Sequence, residues 1–127
     1  MARYLHTSIF VNDMAQSIEF YTKQLGLKLL DGPNHFPGNA DMAFVGDSWD
    51  SYIELVYDLE EHPPYQIGNR YEHLAVEVAD VPATIERLRA AGVRIVKEPK
   101  KSPNGKRTIA FVEDPNGIPV ELLEPRT

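Results

Sequence analysis

Two histidines and two glutamates in this chain stand at one repeated spacing. His6 recurs as His73 and Glu54 recurs as Glu121, in each case 67 residues further on. Imidazole and carboxylate are the donors that remain for a transition metal in a chain without cysteine, and this chain has none. Two imidazoles and two carboxylates suit Zn²⁺, Ni²⁺, Co²⁺ or Mn²⁺, with room for water where the geometry is octahedral. A carboxylate turned into a protein without a partner is costly. Two of them, facing the same way as two histidines, call for a cation or for protons. A divalent metal meets that need most simply.

The elements that must hold these residues repeat at the same offset. Val11 matches Val78, Asp13 matches Asp80, and Ile18 and Glu19 match Ile85 and Glu86. Ala43, Phe44 and Val45 match Ala110, Phe111 and Val112, and Asp47 matches Asp114. A self-similarity of this kind decides architecture before any single motif does. Residues 4–11 read as a strand rich in β-branched and aromatic side chains. Asp13 then caps a helix with Gln16 as its capping-box partner, an apolar face of Met14, Ile18, Tyr21 and Leu25, and Gly26 past its end. A strand begins at Leu27–Leu30, residues 31–39 read as a Gly/Pro/Asn loop, and strands follow near 41–46 and 52–58.

The second half repeats the plan. Residues 71–78 form a strand, and Asp80 caps a helix with Val81, Ile85 and Leu88 on its apolar face, Pro82 in its first turn and Gly92 at its close. Strands follow at 93–97, near 106–112 and near 118–124, the last two joined by a tight turn at Asp114–Gly117. Modules 4–58 and 71–124, joined by a linker at 59–70, are each βαβββ. Neither could bury a useful core alone. The expected fold is α+β, one domain over 1–127 in which the two modules build a cup-shaped sheet.

Alternation along a strand decides where the four residues point. Leu5, Thr7, Ile9 and Val11 share one face; His6, Ser8 and Phe10 share the other. Leu74, Val76 and Val78 likewise oppose His73, Ala75 and Glu77. Ile53 and Leu55 turn toward a helix and Glu54 away from it, as Val120 and Leu122 do against Glu121. With the apolar faces on the helices, both histidines and both glutamates enter the concave side. His35 and His62 have no counterpart at the repeat offset and read as surface loop residues.

Composition narrows the function classes. Net charge is −6, which gives little support to a nucleic-acid partner. The basic residues Lys97, Lys100, Lys101, Lys106 and Arg107 form one local cluster, read as a solvated loop. No apolar run approaches the roughly 20 residues of a membrane-spanning helix, and the N-terminus lacks a signal peptide's apolar stretch. The expected setting is the cytoplasm.

Leu5-His6-Thr7, the helix Ser17-Ile18-Glu19-Phe20-Tyr21-Thr22 with Leu25-Gly26, Ile53-Glu54-Leu55, His73, and Ala110–Gly117 leading to Val120-Glu121-Leu122 occur in an order that resembles the vicinal-oxygen-chelate superfamily. Within it the chain resembles glyoxalase I, and the resemblance spans nearly the whole sequence. It implies that His6, Glu54, His73 and Glu121 ligate one divalent metal per site, Ni²⁺ or Co²⁺ as in the bacterial subgroup or else Zn²⁺. It also implies a homodimer with its sites at the interface. The reaction implied is conversion of the hemithioacetal of an α-oxoaldehyde, such as methylglyoxal, and a thiol into a 2-hydroxy thioester. Glu121 would be the base, with Glu54 able to take that role on the other face.

Superfamily dioxygenases and fosfomycin-resistance enzymes typically use two histidines and one glutamate. The epimerase for methylmalonyl-coenzyme A generally has glutamine where Glu54 stands. A different metal-dependent enzyme of the superfamily, an epimerase or dioxygenase, is one alternative; a non-catalytic small-molecule-binding or resistance protein is another. The thiol half departs from the family: Phe10 stands where an arginine is common and Asp58 where an asparagine is. Glu77, the repeat counterpart of Phe10, adds a carboxylate. Arg70, Lys106 and Arg107 are the cations available to offset Glu77 and Asp58 toward an acidic thiol.

Overall fold

The computed structural model describes residues 1–126, in two compact units, Met1–Gln66 and Ile67 onward. Each unit is βαβββ. In the first, β1 (His6–Phe10), α1 (Met14–Glu19), β2 (Lys28–Phe36), β3 (Ala40–Ser48) and β4 (Ser51–Asp58) build a four-stranded sheet of order β1-β4-β3-β2. In the second, β5 (Leu74–Glu77), α2 (Val81–Ala90), β6 (Ile95–Lys101), β7 (Thr108–Glu113) and β8 (Pro119–Leu123) give the order β5-β8-β7-β6. The first strand of each unit runs parallel to the last, and the other pairings are antiparallel. The right class is therefore α+β with two four-stranded mixed sheets.

The repeat persists in the hydrogen-bond register. Glu54 lies opposite Ser8 and Phe44, and Glu121 lies opposite their counterparts Ala75 and Phe111. Leu55 faces Ala43 as Leu122 faces Ala110, and all four are fully buried. A slip of one residue would turn every one of these side chains to the other face, so burial of the leucines fixes the glutamates.

Both helices start as their caps require. Asp13 accepts a 2.9 Å hydrogen bond from the Gln16 N–H, and Asp80 accepts one of the same length from Ala83. The first N–H of α2, on Val81, donates to Glu124 at 2.8 Å, which ties the chain beyond β8 to the helix start. The apolar face of α2 is Val81, Ile85 and Leu88, all fully buried, joined by Thr84, whose hydroxyl donates back to Asp80 O at 2.7 Å.

The first helix differs from the expected pattern. After Glu19 it widens into a π-helical turn, Phe20–Gln24, in which the Leu25 N–H donates to Phe20 O. Widening changes which side chains face the sheet. Ser17, Phe20, Tyr21 and Leu25 are buried, while Met14 and Ile18 are only half-buried. Gly26, at φ +94°, still closes the helix.

Residues 31–36, expected as loop, continue β2. Its pairing with β3 breaks register at Leu29/Asp31 and again at Asp31/Asn34, so Gly32 and Pro33 sit in bulges on an edge strand, where a missing N–H is tolerated. A Cβ on Gly32 would come within 2.5 Å of Met42 O, which accounts for glycine at that bulge. The same logic extends β6 to Lys101 through Pro99 on the other unit's edge strand.

Candidate metal centre

In the first unit His6 opens β1 and Glu54 sits mid-β4. Ile53 and Leu55 are held in the core, and alternation turns Glu54 to the opposite face. There the His6 Nε2 lies 3.1 Å from Glu54 Oε2. The imidazole stacks on Tyr52, its register neighbour, at 4.9 Å between ring centres. Tyr52 in turn packs edge-on against Trp49 and Phe44, so this pair lies beside an aromatic wall. The His6 Nδ1 is buried with no hydrogen-bond partner among the described residues.

In the second unit His73 precedes β5, and Glu121 sits mid-β8 between the buried Val120 and Leu122. The His73 Nε2 lies 3.2 Å from Glu121 Oε1. Its Nδ1 is 3.0 Å from the carboxylate of Glu72. The ring meets Phe111 edge-to-face at 5.3 Å, and Lys97 Nζ lies 5.1 Å from the centre of that phenyl ring.

Each unit thus presents one imidazole Nε2 and one carboxylate oxygen about 3 Å apart. Donors bound at right angles to one ion by bonds of about 2.1 Å are themselves about 3 Å apart. Donor type and spacing therefore fit a divalent cation within each pair. Two donors are fewer than such an ion takes, and among the described residues no three His, Asp or Glu side chains gather into a ready cluster. What each unit supplies is a pair.

The remaining residues singled out from the sequence divide. Phe10 is 53% exposed and stacks on Tyr65 at 5.1 Å, which stacks on His62 at 4.2 Å. Asp58 ends β4, caps the Glu60 N–H at 2.9 Å, and lines an open groove of about 700 Å³ with Tyr57, Leu59, Glu60, Glu61, His62 and Pro63. None of His6, Glu54, His73 or Glu121 lines that groove. Burial first, then the Asp58 charge and Tyr57, push the Tyr65 phenol above its ordinary range. His35, expected in a loop, lies on β2 at the surface and faces Asp41 at 3.2 Å.

Among the cations expected to offset Glu77 and Asp58, Arg107 lies against a carboxylate. Its guanidinium lies 3.9 Å from Glu77. Arg107 is half-buried, and its Nε has no hydrogen-bond partner among the described residues. Lys106 is exposed in the turn before it, where its N–H donates to Asn104. Arg70 is exposed in the turn that leads to His73. Sequence reasoning missed Glu72, Tyr52 and Tyr65. Alternation already placed Tyr52 on the face of Glu54; Glu72 and Tyr65 carried no comparable signal.

The profile of the Glyoxalase/Bleomycin resistance protein/Dioxygenase superfamily matches residues 3–122. The chain belongs to that superfamily. Among superfamily relatives it is similar to a lactoylglutathione lyase from Neisseria meningitidis, 38% identical over 128 aligned positions that cover 98% of this chain and 92% of that protein. Among solved structures it is similar to glyoxalase I from Zea mays, with a TM-score of 0.86 and 30% identity over 98% of this chain. This chain spans 45% of the maize chain. It is also similar to a trypanothione-dependent glyoxalase I from Leishmania major, with a TM-score of 0.82 and 32% identity, covering 98% of this chain and 87% of that one. The glyoxalase fold and a lyase class are thus common to the sequence and structural relatives.

Proposed function

We propose that this chain is a metal-dependent glyoxalase I-type lyase that converts the hemithioacetal of an α-oxoaldehyde, such as methylglyoxal, and a thiol into a 2-hydroxy thioester. The observation that carries this reading is the repeated His Nε2–Glu carboxylate pair, at 3.1 Å and 3.2 Å, with both glutamates at the same strand register, in a chain whose relatives are lactoylglutathione lyases. His6, Glu54, His73 and Glu121 would hold the cation, Ni²⁺ or Co²⁺ by preference and Zn²⁺ as the alternative. The functional form would be a cytoplasmic homodimer with its sites at the interface.

When bound, the cation supplies polarisation of the substrate oxygens and a counter-charge for the negative charge that builds on them. The chain supplies the proton transfers. Glu121 turns Oε1 to His73, which leaves Oε2 to take the carbon-bound proton and return it to the neighbouring carbon. Glu54 would be the alternative base. Tyr52, Phe44 and Trp49 form an aromatic wall beside His6 and Glu54. The thiol half is the more variable part, as the trypanothione dependence of the Leishmania relative illustrates. The groove at Asp58, Glu60 and Glu61 has three carboxylates and no lysine or arginine among its lining residues. That balance supports a thiol less acidic than glutathione.

The test is to strip the protein with a chelator, restore Ni²⁺, Co²⁺ or Zn²⁺ singly, and follow thioester formation from methylglyoxal with a panel of thiols. Metal-dependent turnover is expected. No turnover with any metal and thiol would overturn the proposal.

A further inference from the structure

We infer that Glu72 is a positioning residue that holds the His73 imidazole with its Nδ1–H fixed and its Nε2 presented as a donor. This inference rests on the metal reading above. His73 lies between two carboxylates, Glu72 at 3.0 Å from Nδ1 and Glu121 at 3.2 Å from Nε2. An imidazole that donates its Nε2 lone pair to a cation carries its proton on Nδ1. A carboxylate accepting that proton fixes tautomer and ring orientation together.

Adjacent residues in a regular strand point to opposite faces, so a residue and its neighbour rarely meet. Glu72 and His73 meet because β5 begins only at Leu74, whereas β1 already includes His6. The second unit thus gives up one residue of strand where the first keeps it. The counterpart of Glu72 at the repeat offset is Leu5, and the His6 Nδ1 has no hydrogen-bond partner among the described residues. The His6 ring is steadied by its stack on Tyr52 instead. The two imidazoles of the repeat therefore rely on different supports, one on a ring face and one on a carboxylate.

Glu72 is 87% exposed, so substitution leaves the core intact and solvent weakens the contact. The effect belongs at the lower end of what such outer partners contribute, about 10-fold in metal affinity. Two variants separate orientation from simple charge. Glu72→Gln keeps an oxygen acceptor and loses the charge, while Glu72→Ala loses both.

The experiment measures Zn²⁺ affinity by competition with a chromophoric chelator, together with ¹⁵N-histidine NMR of the Zn²⁺-loaded protein. In the wild type and Glu72→Gln, His73 should show a protected Nδ1–H resonance and similar affinity. In Glu72→Ala that resonance should broaden by exchange and affinity should fall about 10-fold, with His6 signals unchanged. Equal affinity and an unchanged His73 resonance in Glu72→Ala would overturn the inference while leaving the metal reading intact. So would a loss in Glu72→Gln as large as in Glu72→Ala, which would make Glu72 only a charge. A wild-type chain that takes up no Zn²⁺, Ni²⁺ or Co²⁺ would overturn both.

Discussion

Replacing Asp114 by alanine should unfold the turn that sets Glu121, and the cost follows from the contacts. Asp114 is 4% exposed at the start of the turn between β7 and β8. Its Oδ1 accepts from the N–H groups of Asn116 and Ile118, each at 2.8 Å, and its Oδ2 accepts from the Asn116 side chain at 3.1 Å. Alanine leaves the buried Ile118 N–H without its acceptor, at about 1–3 kcal/mol, and removes two partly exposed bonds of about 0.5–1 kcal/mol each. The total is about 3 kcal/mol. With an unfolding entropy of about 2.1 cal/mol/K per residue, that shifts Tm by about 10 °C in a chain of this length. Asp114→Asn keeps an oxygen at the Oδ1 position and should lose only about a third as much.

The repeat provides the control. Asp47 occupies the matching position but is exposed, so Asp47→Ala should stay within about 0.5 kcal/mol of the parent. The assay is thermal unfolding by circular dichroism at fixed protein concentration. A shift under about 3 °C for Asp114→Ala, or an equal shift for Asp47→Ala, would refute the reasoning.

Three further outcomes are expected. Glu121→Gln should lower kcat by roughly 10²- to 10⁴-fold, with Tm nearly unchanged because Gln is isosteric; steady-state rates and a thermal scan check both. Glu77→Gln should free Arg107 of its counter-charge and lower KM for glutathione about 2- to 3-fold, since one charge at about 8 Å in water is about 0.5 kcal/mol; an unchanged KM would place the thiol elsewhere. The Tyr65 phenol ionises above the ordinary value of 10.0, so the folded state keeps a proton that the unfolded chain releases. Stability from this residue is present below about pH 10 and is lost as pH rises through the higher folded value; Tyr65→Phe should flatten that alkaline decline in denaturant titrations.

Much of the backbone plan was legible because it rests on short-range rules. Asp13 and Asp80 announce helix starts, and the period of two through Ile53-Glu54-Leu55 and Val120-Glu121-Leu122 assigns the faces. What was not legible depends on partners distant in sequence or on small departures from regularity. Gly32-Pro33 reads as a loop until an antiparallel neighbour, β3, is there to absorb it as a bulge. The π-helical turn at Phe20–Gln24 leaves no mark in apolar spacing, yet it puts Phe20 in the core and relieves Met14 of that place. Tyr65 lies where no period applies, and only the folded chain brings it onto Phe10.

The two His/Glu pairs show what duplication preserves and what it leaves to vary. Strand register is set by buried Leu55 and Leu122 against Ala43 and Ala110, and a change there would cost the core before it cost the site. The spacing of each pair is therefore held by packing, and it is nearly the same in both units. Nothing in that packing reaches the outer nitrogen of either histidine, so its support was open to divergence. One unit answered with a ring stack and an aromatic wall, the other with Glu72, Phe111 and a neighbouring lysine. A repeat in the sequence consequently locates the donors well. It says little about what steadies them, and the two histidines should respond differently when their neighbours are changed.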